Sequence, residues 1–320
     1  RKDRPLPQVA NQGTALMCTH PQSHRGPAAT SAALGLRFGL GLLALSLLMG
    51  GCAARSKSTL PAEDVFNSRD LTGWVTQLSQ TAGTLHPRDP SLVFRVVQED
   101  GEPAIRVSGE GLGGLRTLAE FENYHLEFQF KWGTRRFAPR EQDPRDSGLL
   151  YHGTREHDPT TGWIESLELG LLEGGETGDF WSVPGAQGQR IVVDVRGEDI
   201  PVAQRRYGDQ AIRFHPQGRQ YTGISAGILN FPDREKPRGE WNTVELFCLG
   251  STSLHVINGQ VNLTLTNTRR RINGREEPVT RGHLQLQCEG AETFFRRIQV
   301  RPLTEIPPAY REAAGLTRQP

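Results

Sequence analysis

Tyr124-His-Leu-Glu-Phe-Gln-Phe-Lys-Trp132 alternates without a break. Leu126, Phe128, Phe130 and Trp132 share one parity while His125, Glu127, Gln129 and Lys131 share the other, so an extended chain sorts them onto opposite faces. A helix would scatter both sets around its axis. The stretch therefore predicts a half-buried antiparallel strand. Outward from it, strand-like runs recur at 92–97, 103–107, 147–152, 166–172, 191–195, 241–249, 253–257, 283–288 and 294–300, separated by Gly, Pro, Asn and Asp. No long segment has a 3.6-residue apolar period, so helix is a minor component. The spacing fits an all-β sandwich or jelly roll rather than a βαβ array. Asn258-Gly259, between Leu254-His-Val-Ile257 and Gln260-Val-Asn-Leu263, is a type I′ hairpin signal because both central residues need positive φ. Residues 198–240, rich in Arg, Gly and Pro, read as a long irregular excursion that walls a site or is a tolerated insertion.

The chain has 320 residues, 36% of them hydrophobic, and Lys+Arg 37 against Asp+Glu 36 leaves a formal net charge of +1. Such a balance creates no global field for nucleic acid, and the one basic run, Arg269-Arg-Arg271, is short; no nucleic-acid partner is expected. The first residue is Arg1, so residues 1–16 are expected to precede a true start at Met17. From there Arg25 and Arg37 lead to the apolar run Leu40–Met49, too short to span a bilayer comfortably, and then to Gly50-Gly51-Cys52. That order is expected of a lipoprotein signal cleaved before Cys52, whose thiol takes the lipid. The alternatives are a plain signal peptide with an incidental Cys, or a transmembrane anchor. Ala53 is not the Asp that favours inner-membrane retention. The expectation is thus an exported, lipid-anchored protein of the bacterial outer membrane, facing the periplasm or cell surface. The predicted organisation is 1–51 upstream residues and signal, 52–63 lipidated tether, 64–303 globular domain and 304–320 tail.

Cys248 and Cys288 remain in an oxidising compartment, where they form one disulfide or stay as two small buried hydrophobes. Neither has a partner at metal-ligand spacing, and no His/Asp/Glu cluster demands a metal. Carboxylates around a Gly-rich loop are of the type that can hold calcium. No cofactor is expected, since the chain carries no dinucleotide fingerprint, phosphate-binding loop or G-x-S-x-G elbow.

The stretch richest in chemistry is Trp163-Ile-Glu-Ser-Leu-Glu-Leu-Gly-Leu-Leu-Glu-Gly-Gly-Glu-Thr-Gly-Asp-Phe-Trp181. If Leu167, Leu169 and Leu171 point into the sandwich, Glu168 projects from the opposite face beside Gly170. A carboxylate on an open sheet face next to aromatics is a plausible sugar site: ring faces stack on Trp or Tyr, and acids bind hydroxyls or move protons. Its alternative is a solvated surface carboxylate. Tyr151, His152 and Trp181 would line the same cleft if their strands are neighbours. His255, opposite in parity to Leu254 and Val256, is expected to be exposed and available to substrate. Asp146 and Asp179, each close to a Gly, also suit turn-forming hydrogen bonds, and Glu173 also suits a strand end.

Read together, Val65-Phe-Asn-Ser-Arg-Asp-Leu-Thr-Gly-Trp74, Phe121–Gly133, Arg145-Asp-Ser-Gly-Leu-Leu-Tyr-His152, the Glu168 segment, Gly239-Glu-Trp-Asn242, His255-Val-Ile-Asn-Gly259, Gly282–Glu292, Phe294-Phe-Arg296 and Val300-Arg-Pro-Leu303 resemble, in order, the 3-keto-disaccharide hydrolase family. The resemblance covers roughly 64–303 and implies a concanavalin A-like jelly-roll β-sandwich. It departs from the family at Gly170, where a Gln is usual, and at Arg297, where an Asn is usual. It also implies a carbohydrate partner, an oxidised disaccharide or glycoside with a ketone at C3. There a base removes the C2 proton, the C1 oxygen leaves, and water adds. The resemblance points to Glu168 as base, with Asp146, Glu173 or Asp179 as a second acid or substrate contact. The other reading is a non-catalytic surface carbohydrate-binding module on the same fold.

Overall fold

The strand announced by the alternation runs from Tyr124 to Arg136 in the computed structural model, with Leu126, Phe128, Phe130 and Trp132 buried on one face as expected. The structure describes residues 63–80, 89–138, 140–175, 177–205, 211–229 and 232–316, all within the unit Ala54–Pro320. Cys52, the signal and the tether through residue 62 lie outside the described residues. Among the described residues no helix is long and apolar enough to cross a membrane.

Two antiparallel layers face each other. In the first, strand Tyr124–Arg136 lies between Ala291–Pro302 and Asn242–Leu249, followed by Thr252–Ile257 and Gln260–Ile272. On the far side of Ala291–Pro302 come Glu102–Val107 and Phe94–Glu99. In the second layer the order is Trp74–Leu78, Leu112–Thr117, Arg281–Glu289, Asp146–Gly153, Ser166–Leu172 and Phe180–Val183. Their inner faces meet in one apolar core that includes Leu126, Phe128, Leu149, Leu167, Leu169, Leu246 and Leu286. Each such side chain, fully buried, contributes about 1.5–3 kcal/mol. This is the jelly-roll sandwich expected. Asn258 and Gly259 take φ of 48° and 79°, as the hairpin turn requires.

Two expectations need correction. Residues 198–240 are not irregular throughout: Ile212–Phe214, Arg219–Ile224 and Ala226–Leu229 extend the second layer beyond Phe180–Val183 together with Val192–Asp199. These strands are short and interrupted by glycine, so they carry too few alternations to register as a period. His255 is buried rather than exposed. It pairs with Leu246 and Leu263, and Leu246 with Leu126, which sets His255 on the inner face. Leu254 and Val256 occupy the outer face, which the C-terminal residues Leu303, Ile306, Tyr310 and Ala314 help to cover, with the Tyr310 ring 5.0 Å from that of Phe247. Because both faces are apolar there, parity does not tell inside from outside. Of the two alternatives open for Cys248 and Cys288, the structure has the second: both are free buried thiols, pushed up to about 12 by burial.

Candidate active site

Strand Ser166–Leu172 sits inside the second layer, paired on both sides, so every side chain must go up or down. Leu167, Leu169 and Leu171 fill the core, and Glu168 leaves from the opposite face. Register then decides its neighbours. Trp181 is the cross-strand partner of Glu168 on one side and Leu150 on the other, and Gly148 faces Gly170 one step along. The two glycines make room for what lies over them. A Cβ at position 148 would come within 2.2 Å of Gln287 Oε1 and 2.7 Å of Glu168 Oε1, and one at position 170 within 1.9 Å of Asp179 Oδ1. The departure at Gly170 thus has a steric cause: the Asp179 carboxylate occupies the space of a side chain there. Trp181 Nε1 donates to Asp179 Oδ2 at 2.7 Å and fixes that carboxylate against the sheet.

Strand Arg281–Glu289 brings Gln285, Gln287 and Glu289 onto the same face, the parity opposite to Leu284, Leu286 and Cys288. Arg140, from the loop before Asp146, binds the cluster together. Its Nη2 donates to Asp146 Oδ2 at 2.6 Å, and its Nη1 donates to Glu289 Oε1. Glu168 is 9% exposed, ringed by the half-buried Asp146, Glu289, Arg140 and Trp181. Beyond Leu150 the face is closed by Ile164, Val183 and Trp163, with Ile164 N donating to Gln285 Oε1 at 3.3 Å.

Burial and crowding set the proton affinities. Glu168 is raised well above the ordinary carboxyl range by burial first, then by the charges of Glu289, Asp146 and Asp179, against which Arg140 gives partial relief. Glu289 is pushed up to about 8 by burial and by Asp146, again offset in part by Arg140. Asp146 is raised as well, burial outweighing the Arg140 guanidinium. One positive charge cannot neutralise several carboxylates in a poorly hydrated space, so the cluster retains protons where isolated carboxyls would be ionised. Gln287 adds a buried amide whose Oε1 and Nε2 have no hydrogen-bond partner in the structure. A neutral carboxyl, an ionised carboxylate and an open amide on one face can bind hydroxyls and transfer protons.

The remaining candidates lie elsewhere. Glu173 ends its strand in ion pairs with Arg145 at 2.9 Å and Arg238 at 2.7 Å; burial pushes its carboxyl up, but hydrogen bonds from Arg238 and Arg145 hold it below the ordinary value. Tyr151 and His255 are inside the sandwich. The Tyr151 hydroxyl is 3.0 Å from His255 Nε2 and 2.9 Å from Ser253 Oγ, and His255 Nδ1 is 3.2 Å from the Gly178 carbonyl. The carbonyl can only accept, so Nδ1 carries the proton and Nε2 accepts from Tyr151. Burial lowers His255 to about 4, keeping it neutral. His152, at a φ of 51°, turns its ring toward those of Tyr151 and Tyr124, at 5.3 and 5.8 Å, and is likewise lowered to about 4 by burial. Of the sequence candidates, Glu168, Asp146, Asp179 and Trp181 come together, whereas Glu173, Tyr151, His152 and His255 do not join them. Glu289, Gln287 and Arg140 were missed. The first two had a signal, the polar parity of Gln285, Gln287 and Glu289 on one strand; Arg140, in a loop, had none.

Comparison with known proteins gives the following likenesses. A glycosyl hydrolase candidate from Parabacteroides distasonis is 17% identical, with 76% of this chain and 94% of that one covered and a TM-score of 0.41. The carbohydrate-binding module CBM66 from Bacillus subtilis is 7% identical, covering 72% and 96%, with a TM-score of 0.39. The β-glucanase of Bacillus licheniformis is 12% identical, covering 77% and 98%, with a TM-score of 0.38. No curated protein matches the sequence. The sequence model of the 3-keto-alpha-glucoside-1,2-lyase-like domain matches residues 61–301, the whole sandwich from its first strand to its last. By that match the chain belongs to the 3-keto-alpha-glucoside-1,2-lyase-like family, whose name places it in carbohydrate chemistry.

Proposed function

We propose that the domain cleaves glycosides or disaccharides carrying a ketone at C3, using the carboxyl cluster held by Arg140. The observation that supports this reading most is the gathering of Glu168, Glu289 and Asp146, all raised in proton affinity, around one guanidinium on a sheet face bordered by Trp181. Glu168 and Glu289 share one proton between them; Glu168 is the more strongly raised, so the reactive form is the minority one with Glu168 ionised and the proton on Glu289.

A ketone at C3 acidifies the hydrogen on C2. Glu168 takes that hydrogen as a proton, and the C–H electron pair enters the enolate across C2 and C3. Collapse of the enolate restores the ketone, forms the C1=C2 double bond and breaks the C1–O bond. Glu289 gives its proton to the departing oxygen. Water then adds across the double bond, hydroxide at C1 and a proton at C2, and the balance is hydrolysis. A base of raised pKa suits this chemistry, because a carbon acid beside a ketone gives up its proton more readily to a stronger base. Trp181 offers a ring face to the sugar, and the Gln287 amide offers a donor and an acceptor to its hydroxyls.

Glu168→Gln keeps the shape of the side chain and removes the base. Its folding and sugar affinity should persist while turnover of a chromogenic 3-keto-glucoside falls by about 10²–10⁴. The wild type should exchange the C2 hydrogen with deuterated solvent. Near-normal turnover by the variant would remove Glu168 as base. Sugar binding with turnover by neither protein would make this a carbohydrate-binding module instead. We also propose that Cys52 carries a lipid and holds the domain at the outer membrane, a reading supported by the Gly50-Gly51-Cys52 boundary behind a short apolar run.

A further inference from the structure

The outer face of the first layer, across that sheet from His255, carries a second group of ionisable side chains. Glu127 and Glu245 are direct cross-strand partners, and His125 lies two residues from Glu127 on the same face. One ligand atom from each of the three lies within 4.8 Å of the others. Two carboxylates placed directly opposite on a sheet repel each other, which makes this an unfavourable arrangement without a cation. The partner of Glu127 on its other side is the uncharged Gln299, and that of His125 is Arg301, whose Nη2 donates to Gln299 Oε1 at 2.9 Å.

His125 is the second observation. It is 9% exposed, and its Nε2 is buried without a hydrogen bond, although Glu245 Oε2 lies only 3.2 Å away. A nitrogen and an oxygen that close, but not aligned as donor and acceptor, have the separation of two ligands on one ion: bonds of about 2.0–2.2 Å in a tetrahedron put neighbouring ligands about 3.3–3.6 Å apart. The groups behind the ligands hold them in place. The Phe247 ring stacks on His125 at 4.1 Å and 5°, and the Tyr310 hydroxyl lies 3.1 and 3.3 Å from the two oxygens of Glu245. Fixed orientation of ligands by such neighbours is characteristic of metal sites.

We propose that His125, Glu127 and Glu245 bind one divalent transition-metal ion, with zinc suited to the mixed imidazole and carboxylate set. Because Tyr310 belongs to the C-terminal segment and contacts Glu245, the ion would fasten that segment to the sheet. The site is independent of the carboxyl cluster around Arg140 and of the reaction proposed there.

Metal-stripped protein should take up one equivalent of zinc in equilibrium dialysis and gain thermal stability with it. Cobalt should enter the same site and show visible absorption of a low-symmetry nitrogen and oxygen environment. Glu127→Gln and His125→Asn should each weaken zinc binding by at least about 10-fold. Zinc should protect His125 of the wild type from diethylpyrocarbonate, a readout that needs no variant and survives a misfolded one. The proposal is overturned if zinc binds without stoichiometry, if His125 reacts equally with and without zinc, or if folded variants bind zinc as the wild type does.

Discussion

Gly170→Ala is the smallest change that tests the arrangement of the carboxyl cluster. The added Cβ would stand 1.9 Å from Asp179 Oδ1, so that oxygen must retreat by about 1.5 Å to reach ordinary contact. Such a shift breaks the 2.7 Å hydrogen bond from Trp181 Nε1 to Asp179 Oδ2. Overpacking costs about 1–3 kcal/mol, and the hydrogen bond to a charged group is worth about 1.5–3 kcal/mol where water cannot replace it. Trp181 is half-exposed and recovers part of that from solvent. The expected net cost is about 2 kcal/mol, or about 4–8 °C in Tm for a domain of this size. In an Asp179→Ala background the obstruction is gone. There the same substitution should be neutral or stabilise by about 0.4–1 kcal/mol, because alanine has less freedom to lose on folding. Thermal unfolding of the wild type, both single variants and the double variant measures the cycle directly. An equal cost of Gly170→Ala in both backgrounds would show that Asp179 is not what excludes a side chain at position 170.

Glu168→Gln, argued above, tests the chemistry, and pH tests its electrostatic basis. Glu289 has a folded-state value of about 8, above that of an unfolded glutamate, so its contribution to stability is complete below about pH 4.5 and is lost as pH rises through 8. Chemical denaturation between pH 5 and 9 should therefore show a shallower decline for Glu289→Gln than for the wild type; parallel curves would refute the raised value. The 3-keto-glucoside activity should be bell-shaped in pH, lost on the acid side as the Glu168 and Glu289 pair takes up its second proton and on the alkaline side as it loses its last. Tyr151→Phe leaves His255 Nε2 and Ser253 Oγ without the hydroxyl between them and should cost about 1–3 kcal/mol in urea unfolding, whereas an unchanged midpoint would mean that water replaces it. Cys52→Ala should abolish palmitate labelling in the producing cell while the domain folds as before, and labelling that persists would sink the lipid anchor.

Local alternation alone determined much of this protein. The period of two in Tyr124–Trp132 and in Leu167–Leu171 fixed strand identity and, for Glu168, the face from which the side chain leaves, because pleating is a property of the backbone and needs no partner. The turn at Asn258-Gly259 was equally legible, since positive φ at two successive positions restricts the residues that fit. Tertiary structure decided the rest. His255 has the parity of an exposed residue beside Leu254 and Val256, yet a distant C-terminal segment helps to cover their face and leaves His255 between the sheets. Tyr151 shares strand Asp146–Gly153 with Asp146 but has the opposite parity, and its hydroxyl finds partners more than 100 residues away. Glu289 and Arg140 joined Glu168 only through the register of Arg281–Glu289 against Asp146–Gly153 and the return of a loop. Which side of a strand a residue occupies is written within a few neighbours, whereas what that side faces depends on strands and loops far along the chain, and charges alter one another's proton affinity only once folding has brought them together.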